Sequence, residues 1–477
     1  MKRLFLAAVT GTVVSAAARR VSRFRPPAGA PDPADLDGLD AGAAAAHLAE
    51  LVRIPTVSSR EPGEMDAAAF ARFRERLVEL YPATHGALDR EVLGDGALLY
   101  RWRSGTDLPP LVLMAHYDVV PVAGQEWSRD PFSGLIEDGL VHGRGAIDDK
   151  GALVAILEAV ESLVAAGFTP ARDVYLSFGN DEEVAGVGAA LAVETLTARG
   201  VRPWAVLDEG GAVVSGVFPG VPGPTAVVGL AEKGLLDVEL ITTDGGGHAS
   251  APVRGGAPAR LARAILRIED NPFPARLHDV VLGMVDALGR HSPLGYRALF
   301  AHAEYLRPAL AAVLSRASRE ANALVRTTVA ITRLDGSKAA NVLATRALAH
   351  ANIRIALGET VASTVDRLRR IIDDPSVELR VVSGNDPSPV SRADNEAFAL
   401  VSAAVRSVYP DAAVAPYVMV QASDARHFSQ ICDSVYRFMP FDLTRDELAA
   451  LHAADERISV AALHRGAGFF RYLIRHL

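Results

Sequence analysis

The sequence has very little cysteine and lysine. Cys432 is the single cysteine among 477 residues. One thiol excludes an intrachain disulfide and any zinc site built on cysteine ligands. Lysine occurs four times among 49 basic residues, so arginine supplies the other 45. The 57 acidic residues bring the formal net charge to −8, which argues against a general nucleic-acid-binding protein.

The remaining composition is that of a soluble globular enzyme. Hydrophobic residues make up 49% of the chain and charged residues 22%. This apolar content is enough to form packed cores, so the composition excludes disorder for most of the chain. A chain of 477 residues exceeds one ordinary core and predicts two or three domains.

The N-terminus differs from the body of the chain. Residues 4–18 form an apolar run of 15 residues, which Lys2 and Arg3 precede and several arginines follow. The run has the length of the apolar region of a signal peptide and is short for a membrane span. We expect an export signal or an N-terminal membrane anchor rather than a purely cytoplasmic protein. The sequence leaves that choice open, and membrane association would depend on this run.

The first half of the body alternates helix and strand patterns. Residues 111–115, 174–178 and 201–207 are short apolar runs typical of buried strands, and residues 150–166 have the pattern of a buried helix. A succession of strand, helix and strand predicts an α/β fold. Its sheet should be mainly parallel and covered by helices.

The pattern changes near residue 226 and changes back near residue 388. This segment has two predicted strands at 226–229 and 235–242, and then several predicted helices within 257–325. Three more predicted strands follow at 327–333, 347–356 and 377–383, with a helix at 360–372. This order predicts an α+β lid domain inserted into the first domain. The expected organisation is a hydrophobic segment and linker at 1–44, a catalytic domain formed by 45–225 and 388–477, and a lid at 226–387.

Acidic and imidazole side chains cluster at the expected ends of strands. In open α/β sheets, sites form beyond the carboxyl ends of strands, so these clusters should converge. They occupy residues 116–118, 143–151, 180–183, 208–211 and 451–457.

The residue types in these clusters suit zinc. Imidazoles and carboxylates are nitrogen and oxygen ligands of that metal. Asp118 follows His116 by two residues and can accept the second ring N–H of that histidine. Glu182 and Glu183 are adjacent, so one can ligate while the other acts as a base.

With these clusters the chain resembles the di-zinc metallopeptidase family that includes carboxypeptidase S, aminoacylase and succinyl-diaminopimelate desuccinylase. The nearest branch is that of carboxypeptidase S and the N-fatty-acyl-amino-acid hydrolases, because Asp208 stands in a Leu-Asp-Glu-Gly-Gly context. The spacings also fit, with 32 residues from His116 to Asp148, 35 from there to Glu183 and 25 more to Asp208.

The resemblance implies a role for each of these residues. Two zinc ions, which Co²⁺ or Mn²⁺ could replace, would be bridged by Asp148, and a cis peptide would follow that residue. Glu182 would be the general base, and Asp118 would orient the site. The implied metal ligands are His116, Asp148, Glu183, Asp208 and His452.

The resemblance extends to the lid. His248, in a glycine-rich loop, would stabilise the oxyanion. Asn341 and Gly384 would contact the substrate, and Arg354 would hold its carboxylate, a contact suited to the arginine fork. One departure is Asp455, where the family usually has asparagine.

The expected activity is zinc-dependent cleavage of amide bonds in small peptides or N-acyl amino acids, which releases an amino acid with a free carboxylate. One alternative is an N-fatty-acyl amino acid hydrolase or synthase. Another, of a different class, is a metal-free peptide-binding protein on the same fold. We expect a monomer or a homodimer formed through the lid.

Overall fold

The computed structural model describes residues 19–26, 31–61, 63–218 and 220–477. The apolar run at 4–18, which predicted an export signal or anchor, lies outside the described residues. Within the described ranges, no helix has the length and apolar character needed to cross a membrane.

The strands of the described residues range in length from two to ten residues. In chain order they are β1 (Asp89–Leu93), β2 (Ala97–Trp102), β3 (Leu111–His116), β4 (Leu135–Glu137), β5 (Leu140–His142), β6 (Val174–Gly179), β7 (Ala205–Val214), β8 (Thr225–Glu232), β9 (Gly234–Thr243), β10 (Gly247–His248), β11 (Thr328–Asp335), β12 (Val342–Leu343), β13 (Arg346–Ile355), β14 (Glu378–Asn385), β15 (Ala413–Met419), β16 (Val435–Leu443) and β17 (Arg457–Ser459).

The α-helices alternate with these strands in the first and last parts of the chain and cluster in its middle. They are α1 (Ala41–Val52), α2 (Ala67–Leu80), α3 (Pro82–Ala87), α4 (Lys150–Ala165), α5 (Gly188–Ala198), α6 (Ala257–Asp270), α7 (Asp279–Arg290), α8 (Leu294–Phe300), α9 (Arg307–Ala317), α10 (Arg319–Val325), α11 (Val361–Ile372), α12 (Glu396–Val408), α13 (Ala425–Phe428), α14 (Arg445–Ala450) and α15 (Val460–Arg475).

The larger sheet has eight strands in the order β1-β2-β6-β3-β7-β16-β8-β15. Its centre is parallel, because β3 runs parallel to both β6 and β7, and β7 runs parallel to β16. Antiparallel pairs occur at β1–β2, β2–β6 and β8–β16. The predicted α/β fold with a mainly parallel sheet is confirmed.

Apolar runs account for the central elements. Every residue of β3 and β6 is buried, as their uninterrupted apolar sequences predict. Helix α4 is apolar on nearly all faces and is buried along most of its length. It packs against α15 and α1, which cover the sheet. These contacts hold the carboxyl end of β3 and the start of α4 in fixed positions.

Strand β7 differs from its prediction. The expected strand at 201–207 begins later, at Ala205, and continues through Val214. The acidic pair Asp208 and Glu209 therefore lies inside the strand and not in a loop after it. The strand continues because Gly211 has no side chain: a Cβ there would lie 1.8 Å from the carbonyl oxygen of Val227.

The smaller sheet has four strands in the order β11-β13-β9-β14. Leu236, Val238 and Leu240 of β9 face one side, where α6 and α11 cover them. Asp237 and Glu239 alternate with them and face the other side. The predicted lid is thus a sheet with helices on one face.

The domain boundaries 45–225, 226–387 and 388–477 stay predictions. The position of strand β8 is relevant to the boundary near residue 226. Strand β8 falls inside the predicted lid but pairs with β15 in the larger sheet. The smaller sheet starts at Gly234, directly after Lys233. Helix α7 of the intervening helical segment packs on β15 of the larger sheet.

Candidate metal centre

The centre forms where β3 and β6 end. His116 is the last residue of β3 and is paired with Gly179, the last residue of β6. Parallel strands bring their carboxyl ends to one edge, so the acids after Gly179 face the imidazole. The ring of His116 places Nδ1 3.0 Å from the carbonyl oxygen of Asp118 and Nε2 3.1 Å from Asp148 Oδ1.

Asp118 organises the two glutamates beside it. Its carboxylate is fully buried and accepts hydrogen bonds from the backbone N–H groups of Glu182 and Glu183, each at 3.1 Å. The same carboxylate lies 3.4 Å from Nδ1 of His116. Asp118 therefore fixes the imidazole and the acidic pair relative to one another, as expected for an orienting acid.

Asp148 lies between two imidazoles. Its Oδ1 is near His116, and its Oδ2 lies 3.1 Å from Nε2 of His452. The same His452 nitrogen is 3.2 Å from Glu183 Oε1. The peptide bond between Asp148 and Asp149 is cis, which confirms that expectation. A carboxylate with one oxygen toward each imidazole has the position required of a bridging ligand.

Asp208 and Glu209 occupy different surroundings because side chains alternate along a strand. Glu209 Oε2 lies 3.5 Å from Nε2 of His116. Asp208 instead accepts a hydrogen bond of 2.8 Å from the backbone N–H of Ala425, at the start of α13. The structure therefore brings Glu209 to the imidazole, whereas the sequence pattern had selected its neighbour. The expected role of Asp208 as a ligand stays a prediction.

Two overlapping groups of side chains have the geometry of a metal site. Potential ligand atoms of His116, Asp148 and Glu183 lie within 4.8 Å of one another, as do those of His116, Asp149 and Glu209. Asp149 Oδ1 is buried and accepts no hydrogen bond from the part of the chain that the structure describes. A buried oxygen without a donor, among other carboxylates, fits a cation.

Several buried carboxylates lie close together in the cluster, and their charges affect one another's pKa. Burial and the nearby Glu209 carboxylate raise the pKa of Glu182 well above its ordinary value. Hydrogen bonds to Asp148 and Glu183 raise the pKa of His452 to about 10. Burial and the charge of Asp148 raise the pKa of Glu209 to about 8. Carboxylates this close disfavour one another's ionised forms, and bound dications would relieve that repulsion.

His248 and Asn341 are adjacent in the lid. Strand β10 pairs His248 with Val342, and the N–H of Ala249 donates to the carbonyl oxygen of Asn341. The His248 ring is exposed and its Nδ1 is 2.7 Å from the Ser250 hydroxyl. No described hydrogen bond or ion pair joins either residue to the cluster around His116.

Arg354 and Gly384 lie at the opposite end of the lid sheet. Arg354 pairs with Leu235, at the start of β9, and Gly384 pairs with Leu236. Burial lowers the pKa of Arg354, and the carboxylates of Asp237 and Glu232 oppose that effect. Glu232 is the last residue of β8 in the larger sheet, so its charge acts on Arg354 from the larger domain.

Comparison with known proteins identifies the class of this fold and site. The model of peptidase family M20/M25/M40 matches residues 112–476. The chain belongs to that family, and it is a hydrolase of the metallopeptidase type.

Two curated relatives cover most of the chain. A probable carboxypeptidase S-like protein of Dictyostelium discoideum is 35% identical, over 91% of this chain and 84% of the relative. The N-fatty-acyl-amino acid synthase/hydrolase PM20D1 of Homo sapiens is 31% identical, over 89% of this chain and 86% of the relative.

Solved structures agree on the fold. The M20 family metallo-carboxypeptidase Sso-CP2 from Sulfolobus solfataricus superposes with a TM-score of 0.67 at 18% identity, over 91% of this chain and 98% of that structure. Human carnosine dipeptidase 1 superposes with a TM-score of 0.63 at 17% identity, over 93% and 99%. The family resemblance inferred from the motifs is confirmed.

Sequence reasoning missed two acids near the cluster. Glu209 stands next to the selected Asp208, and only the alternation of side chains along β7 could have distinguished them. Glu456 is fully buried beside the backbone of Asp148 and was not singled out. The unusual Asp455 has a φ of 60°, and its carboxylate accepts hydrogen bonds from the N–H and hydroxyl of Ser128.

Proposed function

We propose that this chain is a two-zinc amide hydrolase that releases amino acids with a free carboxylate from small peptides or N-acyl amino acids. The observation that carries the proposal is the position of Asp148 between the imidazoles of His116 and His452, with Glu183 and Glu209 alongside. Co²⁺ or Mn²⁺ would serve in place of zinc, since the donors are nitrogen and oxygen.

The ligand assignment follows the distances. One ion would be held by Asp148, Glu183 and His452, and the other by His116, Asp148 and Glu209. This assignment replaces Asp208 by Glu209, because Asp208 accepts the N–H of Ala425 instead of facing His116. When bound, the ions would lower the pKa of a water molecule and polarise the amide carbonyl.

Glu182 is the proposed general base. It is adjacent to Glu183 but forms no described ion pair with either imidazole of the cluster. Its backbone N–H donates to Asp118, as does that of Glu183, so the proposed base is held beside a proposed ligand. Glu182 would accept a proton from the attacking water and pass it to the leaving amine.

Arg354 is the proposed carboxylate-binding residue. It lies at the end of the lid that adjoins the larger domain, and its guanidinium is in no described ion pair closer than 4 Å. A half-buried arginine with that freedom suits a bidentate contact with a carboxylate. Gly384, in β14 on the other side of β9, stays a predicted substrate contact.

His248 would act from a second copy of the chain. Arg354 pairs with Leu235 near the start of β9, and Arg346 pairs with Thr243 at its end, ahead of His248. Eight residues of strand span about 26 Å. The carboxylate and the scissile carbonyl of one amino acid are adjacent, so a single lid of this shape does not present both residues to one substrate. A homodimer through the lid would supply His248 and Asn341.

Long N-acyl groups are favoured over short peptides by one feature. A cavity of about 330 Å³ lies at the junction between the lid and the helices α7–α10. Its lining combines apolar side chains with charged ones. The apolar residues are Leu277, Leu324, Val325, Leu357 and Val418, and the charged ones are Arg276, Asp279, Arg307, Glu359 and the buried Lys233. Each buried CH₂ of an acyl chain would add about 0.8 kcal/mol of binding. The name of the human relative PM20D1 specifies such substrates, and they are proposed here for this chain.

A substrate comparison tests this proposal. The purified chain is incubated with dipeptides and with N-acyl amino acids of increasing acyl length, and mass spectrometry measures the released amino acid. The proposal expects amino-acid release, with kcat/KM rising with acyl length. Release of amino acids from dipeptides alone would support the hydrolase activity but contradict the preference for long N-acyl groups. No release from either series would contradict the proposed function.

A further inference from the structure

Glu456 connects the two chain segments that carry the proposed ligands Asp148 and His452. Its side chain is fully buried. Oε1 accepts the backbone N–H groups of Ile147 and Asp148 at 2.8 and 3.1 Å. Oε2 accepts the N–H of Gly145 at 3.1 Å and Nη1 of Arg144 at 2.7 Å. One carboxylate thus holds the segment that ends in Asp148.

A second set of contacts joins His452 to the same arginine. Arg144 Nη2 donates to Oε1 of Gln125 at 2.8 Å, and Nε2 of Gln125 donates to the carbonyl oxygen of His452 at 2.8 Å. The guanidinium also stacks on Trp127, at 5.1 Å from the ring centre. A continuous chain of hydrogen bonds therefore runs from Glu456 through Arg144 and Gln125 to the backbone of His452.

The position of the His452 side chain depends on these hydrogen bonds more than that of a buried, closely packed side chain would. Its side chain is 54% exposed, so surrounding atoms do little to fix the ring. Its backbone is in the left-handed region, with a φ of 58°, which is unfavourable for a residue other than glycine. The hydrogen bond from Gln125 to its carbonyl oxygen holds that conformation from outside the loop.

The buried ion pair is better explained by positioning than by stability. Arg144 and Glu456 are 1% and 0% exposed, and taking both charges out of water offsets most of their attraction. The pair instead fixes the relative position of two chain segments, because four donors within residues 144–148 share the two carboxylate oxygens of Glu456. An amide at 456 would turn its NH₂ toward two of those donors and lose both bonds.

We propose that Glu456, through Arg144 and Gln125, is a positioning clamp that fixes the separation of Asp148 and His452 and thereby sets the affinity of the metal ion those two residues share. The inference rests on the proposed metal centre. His452 belongs to one ligand set only, whereas Asp148 belongs to both. Loosening the clamp should therefore weaken both ions, and the ion held by His452 more than the other. Hydrogen-bond partners of metal ligands typically contribute 10- to 100-fold in metal affinity.

The test compares Glu456→Gln with the parent chain and with Glu158→Gln as a matched control. Glu158 is also a buried glutamate. It lies in α4, where its carboxylate contacts His47 and Tyr81 and none of the proposed metal ligands. Metal-free protein is titrated with zinc by calorimetry, and thermal melting of the metal-free forms is recorded. Glu456→Gln should bind the zinc held by His452 about 10- to 100-fold more weakly than the parent, and should lose less affinity for the other zinc. Excess zinc should then restore much of its kcat.

Gln125→Ala provides an independent variant, because Gln125 is only partly buried and its loss should not prevent folding. It should weaken the same ion in the same direction. The clamp would be overturned if Glu456→Gln and Gln125→Ala bound both ions as tightly as the parent and only their melting temperatures fell. Glu456 and Gln125 would then have a structural role only. Equal weakening in Glu158→Gln would overturn it too. A parent chain that binds no zinc would instead refute the proposed metal centre itself.

Discussion

Arg354 and His248 lie at opposite ends of the lid sheet. Arg354 pairs with Leu235 at the start of β9, whereas His248 follows the end of that strand at Thr243. Leu235 and Thr243, which mark these two ends of β9, are about 26 Å apart along the strand. Both residues are proposed to act on one amino acid, so each active site should combine residues from two copies of the chain.

Mixing two inactive variants tests that arrangement. His248→Ala should depress kcat and keep the metal content of the parent, because the imidazole acts on the oxyanion and not on the ions. If His248 acts across a dimer, exchange of subunits between His248→Ala and Glu182→Gln should restore about a quarter of the parental activity, since half of the dimers carry one intact site in two. Light scattering would confirm that dimers are present and exchange. Exchanged dimers without recovered activity would place His248 within its own subunit.

The role of Glu182 predicts a separation between metal binding and turnover. Glu182→Gln should keep the parental metal content and lose about 10²- to 10⁴-fold in kcat, the range expected when a general base is removed. Metal analysis and single-substrate kinetics on the same preparation measure both quantities. An active variant with unchanged metal content would show that another group is the base.

Neighbouring acids in β7 offer a matched pair of variants. Glu209→Gln removes the carboxylate near His116 and should lower metal affinity by more than the roughly 10- to 100-fold that losing a ligand's hydrogen-bond partner costs. Asp208→Asn can still accept the N–H of Ala425 through its amide oxygen and should change metal affinity far less. Zinc titration of both variants gives the comparison. The reverse order of effects would restore Asp208 as the ligand.

Arg354 should act on substrates with a free carboxylate. A hydrogen bond to a charged group contributes about 1.5–3 kcal/mol. Arg354→Ala should therefore reduce kcat/KM by about 10- to 150-fold on an N-acyl amino acid. Kinetics on the corresponding amidated compound supply the control, which should be poor for the parent and nearly unaffected by the substitution. Equal losses on both compounds would mean that Arg354 supports the lid instead.

Much of the larger domain could be predicted from the sequence because its central elements are uninterrupted apolar runs. Strands β3 and β6 and helix α4 fall close to their predicted bounds for this reason. Strand β7 was harder to place, because two acids and two glycines interrupt its apolar pattern. Gly211 is needed because the backbone of Val227 approaches it closely, and composition does not indicate this tertiary contact.

The acids of the site were found by motif, but their roles depend on register. Asp208 and Glu209 are equally good carboxylates in the sequence, and the position of β7 beside β3 decides which one faces His116. Contacts between distant segments were not predictable at all. Gln125 meets His452, and Arg144 meets Glu456, across more than 300 residues of intervening chain.

The central claim is that this chain hydrolyses amides with two bound metal ions. The most direct test is stepwise addition of zinc to chelator-treated protein, with bound zinc and the rate of N-acyl amino acid hydrolysis measured at each step. Our account predicts no hydrolysis without metal, saturation at two zinc ions per chain, and activity that rises as the ions bind. Full hydrolysis by the metal-free chain, or two bound zinc ions without any hydrolysis, would contradict it.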